Sequence, residues 1–153
     1  MPYRNISGKL IVEVEVGGTV YPFLFDTGAS KTCITESLRQ ALGPDTLRII
    51  KAHDSGGQRR EVPVVRLDTL RFGAWTLTDV ASVVVDPGGN PLFDCYGLDG
   101  IIGSDILQGR TVRISSRDSC LLTSGSAASW GVARRDGIRG KLVGIRTFIS
   151  VRV

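Results

Sequence analysis

Long apolar runs are missing from this 153-residue chain, and none approaches the roughly 20 residues that a membrane-spanning helix requires. The opening, Met1-Pro2-Tyr3-Arg4-Asn5, lacks the apolar stretch of a secretory leader. The expected address is therefore the cytoplasm, or the periplasm or another exported compartment if the chain is processed or truncated. Cysteine is scarce: Cys33, Cys95 and Cys120 are odd in number and contain no Cys-x-x-Cys pair, which argues against a disulfide framework. With His53, the single histidine, they could supply four zinc ligands, but their spacing matches no metal motif. Free, mostly buried thiols are expected, with no metal and no cofactor. The net charge of +4 is modest, and its densest pairs, Arg59-Arg60 and Arg134-Arg135, make no stripe. Without a basic stripe or an aromatic platform, a nucleic-acid partner is not expected.

Apolar residues at 42% and charged residues at 22% describe a soluble globular chain with one substantial core. Leu10, Val12, Val14 and Val16 alternate with Ile11, Glu13 and Glu15, the period-2 pattern of a half-buried strand. Gly17-Gly18 signals a hairpin, and the return strand Thr19–Phe25 leads directly into Asp26. Pro22 has no N–H for a ladder, which places that strand at an edge or at a bulge.

The chain is organised around Tyr21-Pro22-Phe23-Leu24-Phe25-Asp26-Thr27-Gly28-Ala29-Ser30. An apolar run delivers a carboxylate, and a small-residue turn follows at once. Burying such a group behind Phe23, Leu24 and Phe25 costs free energy unless it is paired, hydrogen-bonded or protonated, which marks Asp26 as a functional acid. Gly28 permits a sharp turn or a close approach, and Thr27 adds a hydroxyl beside the acid.

Downstream, Thr35 or Thr32 is placed to cap a short helix stopped by Gly43-Pro44. Residues 46–65 read as a hairpin with a polar tip, His53-Asp54-Ser55-Gly56-Gly57-Gln58. His53 is expected at its base or on the surface rather than in catalysis. Leu67–Phe72, Trp75–Leu77 and Val80–Val85 continue as an antiparallel meander, and Asp86–Pro91 is dense in turn chemistry. Ile101-Ile102-Gly103 fits a buried strand passing close to another backbone, and Ser104-Asp105-Ile106-Leu107 begins a short helix. Thr111–Ile114 and Cys120–Thr123 read as a last hairpin. Ser124–Trp130 is small and polar, a linker, and Lys141–Val143 and Thr147–Val153 read again as strand.

Asp26-Thr27-Gly28 after an apolar strand, a glycine-tipped hairpin, and Gly100-Ile101-Ile102-Gly103 before a short helix occur in the order that resembles the retropepsin-like aspartic proteases. The resemblance spans roughly residues 8–123. It implies an all-β, single-lobe, closed β-barrel with a flap hairpin and one or two short helices. It also implies a protease domain over residues 1–124 and a tail over 125–153, either a dimer strand or the opening of a second lobe. The two glycine turns, at Phe23–Leu42 and Gly100–Leu107, would be the halves of an internal two-fold, interlocked beneath the site.

The implied function is aspartic endopeptidase. In that chemistry two adjacent carboxyls share one proton, one activating a water while the other protonates the carbonyl. This chain has one Asp-Thr-Gly, so the second carboxylate would come from Asp26 of another copy in a homodimer, or from a tandem lobe. By the same resemblance, the Thr27 hydroxyl would bond across the two-fold and the Gly28 N–H would approach the carboxylates. Ala29, Ser30, Ser55, Gly56 and Gly57 would line an extended peptide substrate, with Ile101, Ile102 and Gly103 forming the loop beneath. Ser30 departs from the retroviral pattern, which has an acid there, and Ser104 replaces an Arg. Asp105 is implied to start and cap the short helix. Two other readings compete. One is an inactive relative used for dimerisation or peptide binding. The other is a phosphate loop of an ATPase, disfavoured because Ser30-Lys31-Thr32 lacks a preceding glycine-rich run and few helices are expected.

Overall fold

The computed structural model describes residues 1–53, 59–88, 90–124, 130–131, 140–143 and 146–149; the last two stretches and His53 are described by their backbone alone. The described strands are β1 (Tyr3–Ile6), β2 (Lys9–Val16), β3 (Thr19–Phe25), β4 (Cys33–Thr35), β5 (Thr46–His53), β6 (Arg59–Phe72), β7 (Trp75–Val85), β8 (Gly100–Ile102), β9 (Thr111–Ser115), β10 (Cys120–Ser124), β11 (Gly140–Val143) and β12 (Arg146–Ile149). Between them lie α1 (Glu36–Leu42), α2 (Pro91–Tyr96) and a 3-10 turn at Ser104–Leu107. Eight strands form one sheet in the order β1-β2-β3-β8-β4-β7-β6-β5. A further pairing of β2 with β6, Glu15 opposite Arg71 and Val16 opposite Leu70, closes the sheet on itself. The expected all-β closed barrel is the observed architecture.

The β2–β3 hairpin is set by its glycines. Gly17 and Gly18 have φ of 59° and 82°, the left-handed pair that a two-residue turn between Val16 and Thr19 demands. β3 lies between β2 and β8 in an unshifted register, so it is neither the edge strand nor the bulge that Pro22 suggested; Pro22 sits just before the β8 ladder. Its carbonyl accepts from Asp99 N at 2.9 Å, so its nitrogen faces the side where β8 begins only opposite Phe23. The missing N–H therefore costs no ladder bond.

The end of β3 is buried on both faces, which explains its continuous apolar run. Phe23 and Phe25 point into the main core with Val12, Val14, Leu70 and Phe72, while Leu24 points into a second cluster with Ile11, Phe93 and Leu98. Phe25 stacks on Phe72 with ring centroids 5.8 Å apart. Phe93 comes from α2, which the turn-rich reading of Asp86–Pro91 did not extend to. Its signals are local: Asn90 Oδ1 accepts from Leu92 N at 3.0 Å, Pro91 takes the first turn, and Gly97 ends the helix at φ 59°. α1 is capped by Thr35, whose hydroxyl accepts from Leu38 N at 3.2 Å, and not by Thr32.

The β9–β10 hairpin forms outside the main sheet and is stitched to the chain start. Tyr3 N donates to Ser119 O at 3.0 Å and Leu121 N to Met1 O at 2.8 Å. β11 and β12 pair with each other, Gly140 opposite Ile149. The expected final strand is thus present as β12 over Arg146–Ile149, while Ser150–Val153, most of the expected linker and the Ser55-Gly56-Gly57 tip lie outside the described residues. No helix among the described residues is long and apolar enough to cross a membrane. Only Cys33 of the three free thiols is buried; Cys95 is exposed and Cys120 half-buried, which corrects the expectation that most would be covered.

Candidate active site

Asp26 follows the last residue of β3, and the β8 loop holds it there. Asp26 N donates to Ile102 O at 3.1 Å, and Ala29 N closes the turn by donating to Asp26 O at 3.2 Å. On the side-chain side, Gly28 N donates to Asp26 Oδ1 at 2.8 Å. A Cβ on Gly28 would stand 3.1 Å from the same oxygen, tighter than ordinary contact, so glycine keeps this amide close to the carboxylate. Asp26 itself is half-buried, and Thr27 and Gly28 are exposed. The sequence-based expectation of a buried acid is corrected here: the aromatic residues of β3 fill the core behind Asp26 without covering it.

The loop is locked from below by the segment after β8. Ser104 N and Oγ both donate to Ala29 O, at 2.8 and 3.1 Å. Gly103 N donates to the hydroxyl of Thr32 at 3.1 Å. That hydroxyl in turn donates to Asp105 Oδ1 at 2.8 Å, which also accepts from Thr32 N at 2.9 Å. Thr32 is fully buried. Gly103 has no room for a side chain, because an added Cβ would meet the Lys31 carbonyl and stand 2.7 Å from Thr32 N. Gly100 is equally confined, between the Phe23 ring and Cys33 O. The expectation that Ile101-Ile102-Gly103 passes against another backbone therefore holds, and the two glycine turns do interlock.

Asp105 departs from its expected role. The residue before the 3-10 turn is Gly103 and makes no side-chain cap, while Asp105 reaches across to Thr32. It spends the same oxygen on its neighbour Ile106 N, at 3.0 Å. Sequence reasoning gave Thr32 only a possible cap; its real place is the centre of the lock. The spacing of Thr32 from Asp26 carried no signal for this, because its partners are more than 70 residues away.

Cys33, the next residue, is pushed up to about 12 by burial, against a lowering hydrogen bond at the Ile101 backbone; the charges of Asp105 and Asp26 raise it further. Its thiol stays neutral and inert at ordinary pH.

A family model described as aspartyl protease matches residues 12–106, a span that runs from β2 through the Asp26 loop and the lock to the 3-10 turn. The chain belongs to the aspartyl protease family. Solved structures of similar fold include a retropepsin-like aspartic protease from Rickettsia conorii, 21% identical over 80% of this chain and 86% of that one, with a TM-score of 0.58. Another is the retroviral protease-like domain of Ddi1 from Leishmania major, 18% identical over 74% of this chain and 86% of that one, with a TM-score of 0.52. At these identities the likeness is one of fold. No curated protein sequence matches the chain.

Within this aspartyl protease family member, the geometry brings Asp26, Gly28, Ala29 and Ile102 into one hydrogen-bonded unit, with Thr27 in the turn between them and Gly103 bonded to Thr32 beneath. Ser30 lies half-buried beside it, and Ser55, Gly56 and Gly57 fall outside the described residues. Two residues that the sequence did not flag join the site. Lys9 and Ile114 line a depression of about 260 Å³ together with Gly8, Leu10, Leu24, Phe25, Asp26 and Thr27.

Proposed function

We propose that the protein is an aspartic endopeptidase whose site is completed when two copies bring their Asp26 carboxyls together on a two-fold axis. The observation that carries this reading is the Asp26-Thr27-Gly28 turn, half-buried at the acid and exposed at Thr27 and Gly28, backed by the β8 loop and offering one carboxylate per chain. The Thr27 hydroxyl is exposed and makes no hydrogen bond to a described residue, as suits a group that bonds to a second copy. Ile114, 48% exposed, stands on the rim of the same depression and supplies apolar surface for that contact.

In the assembled pair, one ionised Asp26 removes a proton from a water while its protonated counterpart donates to the scissile carbonyl. The Gly28 N–H, already 2.8 Å from Asp26 Oδ1, holds the carboxyl in place. An extended peptide would lie across Ala29 and Ser30, beneath a flap formed by Ser55-Gly56-Gly57. Residues 1–124 would make the protease domain and 125–153 a separate tail. Because one proton is shared, the rate should be bell-shaped in pH with a mildly acidic optimum.

The direct test is cleavage of denatured casein, with inhibition by a statine-type transition-state mimic. Asp26→Asn preserves shape and removes the proton exchange, so it should lower the rate by about two orders of magnitude or more while the fold survives. Equal cleavage by parent and variant overturns the role of Asp26. Peptide binding and dimerisation with no cleavage would leave an inactive binding module.

A further inference from the structure

Lys9 is held against the Asp26 loop by the pairing of the strands on either side. The turn Ser7-Gly8, with φ of 50° and 78°, joins Ile6 to Lys9 as a tight two-residue hairpin, and Gly8 N is fixed to Asn5 Oδ1 at 3.0 Å. In the β2–β3 ladder Leu10 stands opposite Phe25. Carrying that register one step further sets Lys9 opposite Asp26. Both residues line the same depression, whose walls are otherwise apolar or uncharged: Leu10, Leu24, Phe25 and Ile114, with Thr27 beside the acid. Lys9 is its one cation. The residue is exposed and forms no ion pair with a described residue, so its ammonium is available to a ligand.

We infer that Lys9 is a specificity-determining residue that takes a carboxylate of the peptide lying next to the scissile bond. This rests on the endopeptidase reading of the site and adds to it a substrate class, peptides carrying an acid close to the cleavage point. Charge selects the ligand: beside the negative Asp26, a second carboxylate is disfavoured everywhere in the depression except against Lys9. Apolar walls and a cationic end suit a side chain of glutamate type, with methylenes against Leu10 and its head at the ammonium. A peptide's own terminal carboxylate presents the same chemistry.

The test uses matched peptides in which each position around the cleavage point is in turn Glu, Gln or Lys, together with a set whose free C-terminus falls at the same places. Wild type should favour Glu over Gln about fivefold in kcat/KM at one position, the size expected of a solvent-accessible charge pair. Lys9→Gln should erase the preference and Lys9→Glu should turn it towards Lys, and rising salt should shrink the wild-type ratio. A preference confined to the free-ended set would assign the subsite to a terminal carboxylate, still held by Lys9. Anisotropy of the same labelled peptides on Asp26→Asn reads the preference without turnover. If wild type cleaves nothing yet this binding follows Lys9, the endopeptidase reading fails and the subsite stands. Cleavage with no acidic preference, or a preference unmoved in Lys9→Glu, overturns the inference. So does a Lys9→Glu effect seen only as a weaker dimer in sedimentation, and so does an absence of binding to every peptide.

Discussion

One carboxylate oxygen, Asp105 Oδ1, accepts from both the amide and the hydroxyl of Thr32, at 2.9 and 2.8 Å. The two residues are 73 positions apart in sequence. Through the same hydroxyl the bond network continues to Gly103 N, so three groups of two loops are satisfied by a pair of side chains. Such a network keeps the Asp26 turn in one conformation, since leaving any member unpaired in a buried setting is costly.

Breaking this lock should cost more than losing a helix cap. Asp105→Ala is expected to destabilise the fold by about 3 kcal/mol, because two donors of buried Thr32 lose a charged acceptor. Asp105→Asn retains an acceptor oxygen and should cost about 1 kcal/mol. Urea denaturation of the three proteins decides between lock and cap: a cap alone would limit the alanine loss to about 1 kcal/mol and leave the asparagine variant close to the parent.

The glycines of the second loop should tolerate no side chain. Gly103→Ala forces a methyl onto Lys31 and Thr32 backbone that is fixed from both sides, and should cost about 2 kcal/mol or more. Gly109→Ala meets nothing within 4 Å but has φ of 69°, so its smaller loss measures backbone strain alone. Thermal melting of the two variants side by side separates crowding from conformation.

The thiols should react in the order of their exposure. Cys95 should be modified first by an aromatic disulfide reagent, Cys120 next, and Cys33 only when the protein unfolds. Because folding raises the Cys33 pKa from 9.0 to about 12, the protonated thiol is favoured in the native state. Its contribution is whole below pH 9 and is lost as pH climbs towards 12. Cys33→Ala should therefore flatten the alkaline fall in stability measured by denaturant titration at a series of pH values.

Activity should fall on dilution. A site that needs two copies of Asp26 loses turnover as the dimer dissociates, and specific activity should follow the dimer fraction seen by sedimentation. Ending the chain at Ser124 tests the tail in the same experiment. If β11 and β12 belong to the dimer contact, the shortened protein should dissociate at higher concentration; if they are a separate unit, its dilution curve should overlay that of the full chain. Full activity from a strict monomer would remove the basis of the two-chain mechanism.

Local signals in the chain placed the strands and the turn that carries Asp26. Alternation in Leu10–Val16, the Gly17-Gly18 turn, the apolar run into Asp26 and the Thr35 and Gly43 ends of α1 are local signals, each set by residues a few positions apart, and the structure bears them out. α2 carried signals of the same kind, in Asn90, Pro91 and Gly97, which the reading of a turn-dense loop missed. Tertiary structure alone decided that Asp26 is half-buried, that Asp105 reaches Thr32 in the other loop, and that Lys9 and Ile114 share the depression at the acid. It also closed the sheet, by pairing β2 with β6. These facts depend on contacts between segments far apart in the chain. No periodicity or cap encodes them, because the energy that selects them is gained only when the strands have already packed.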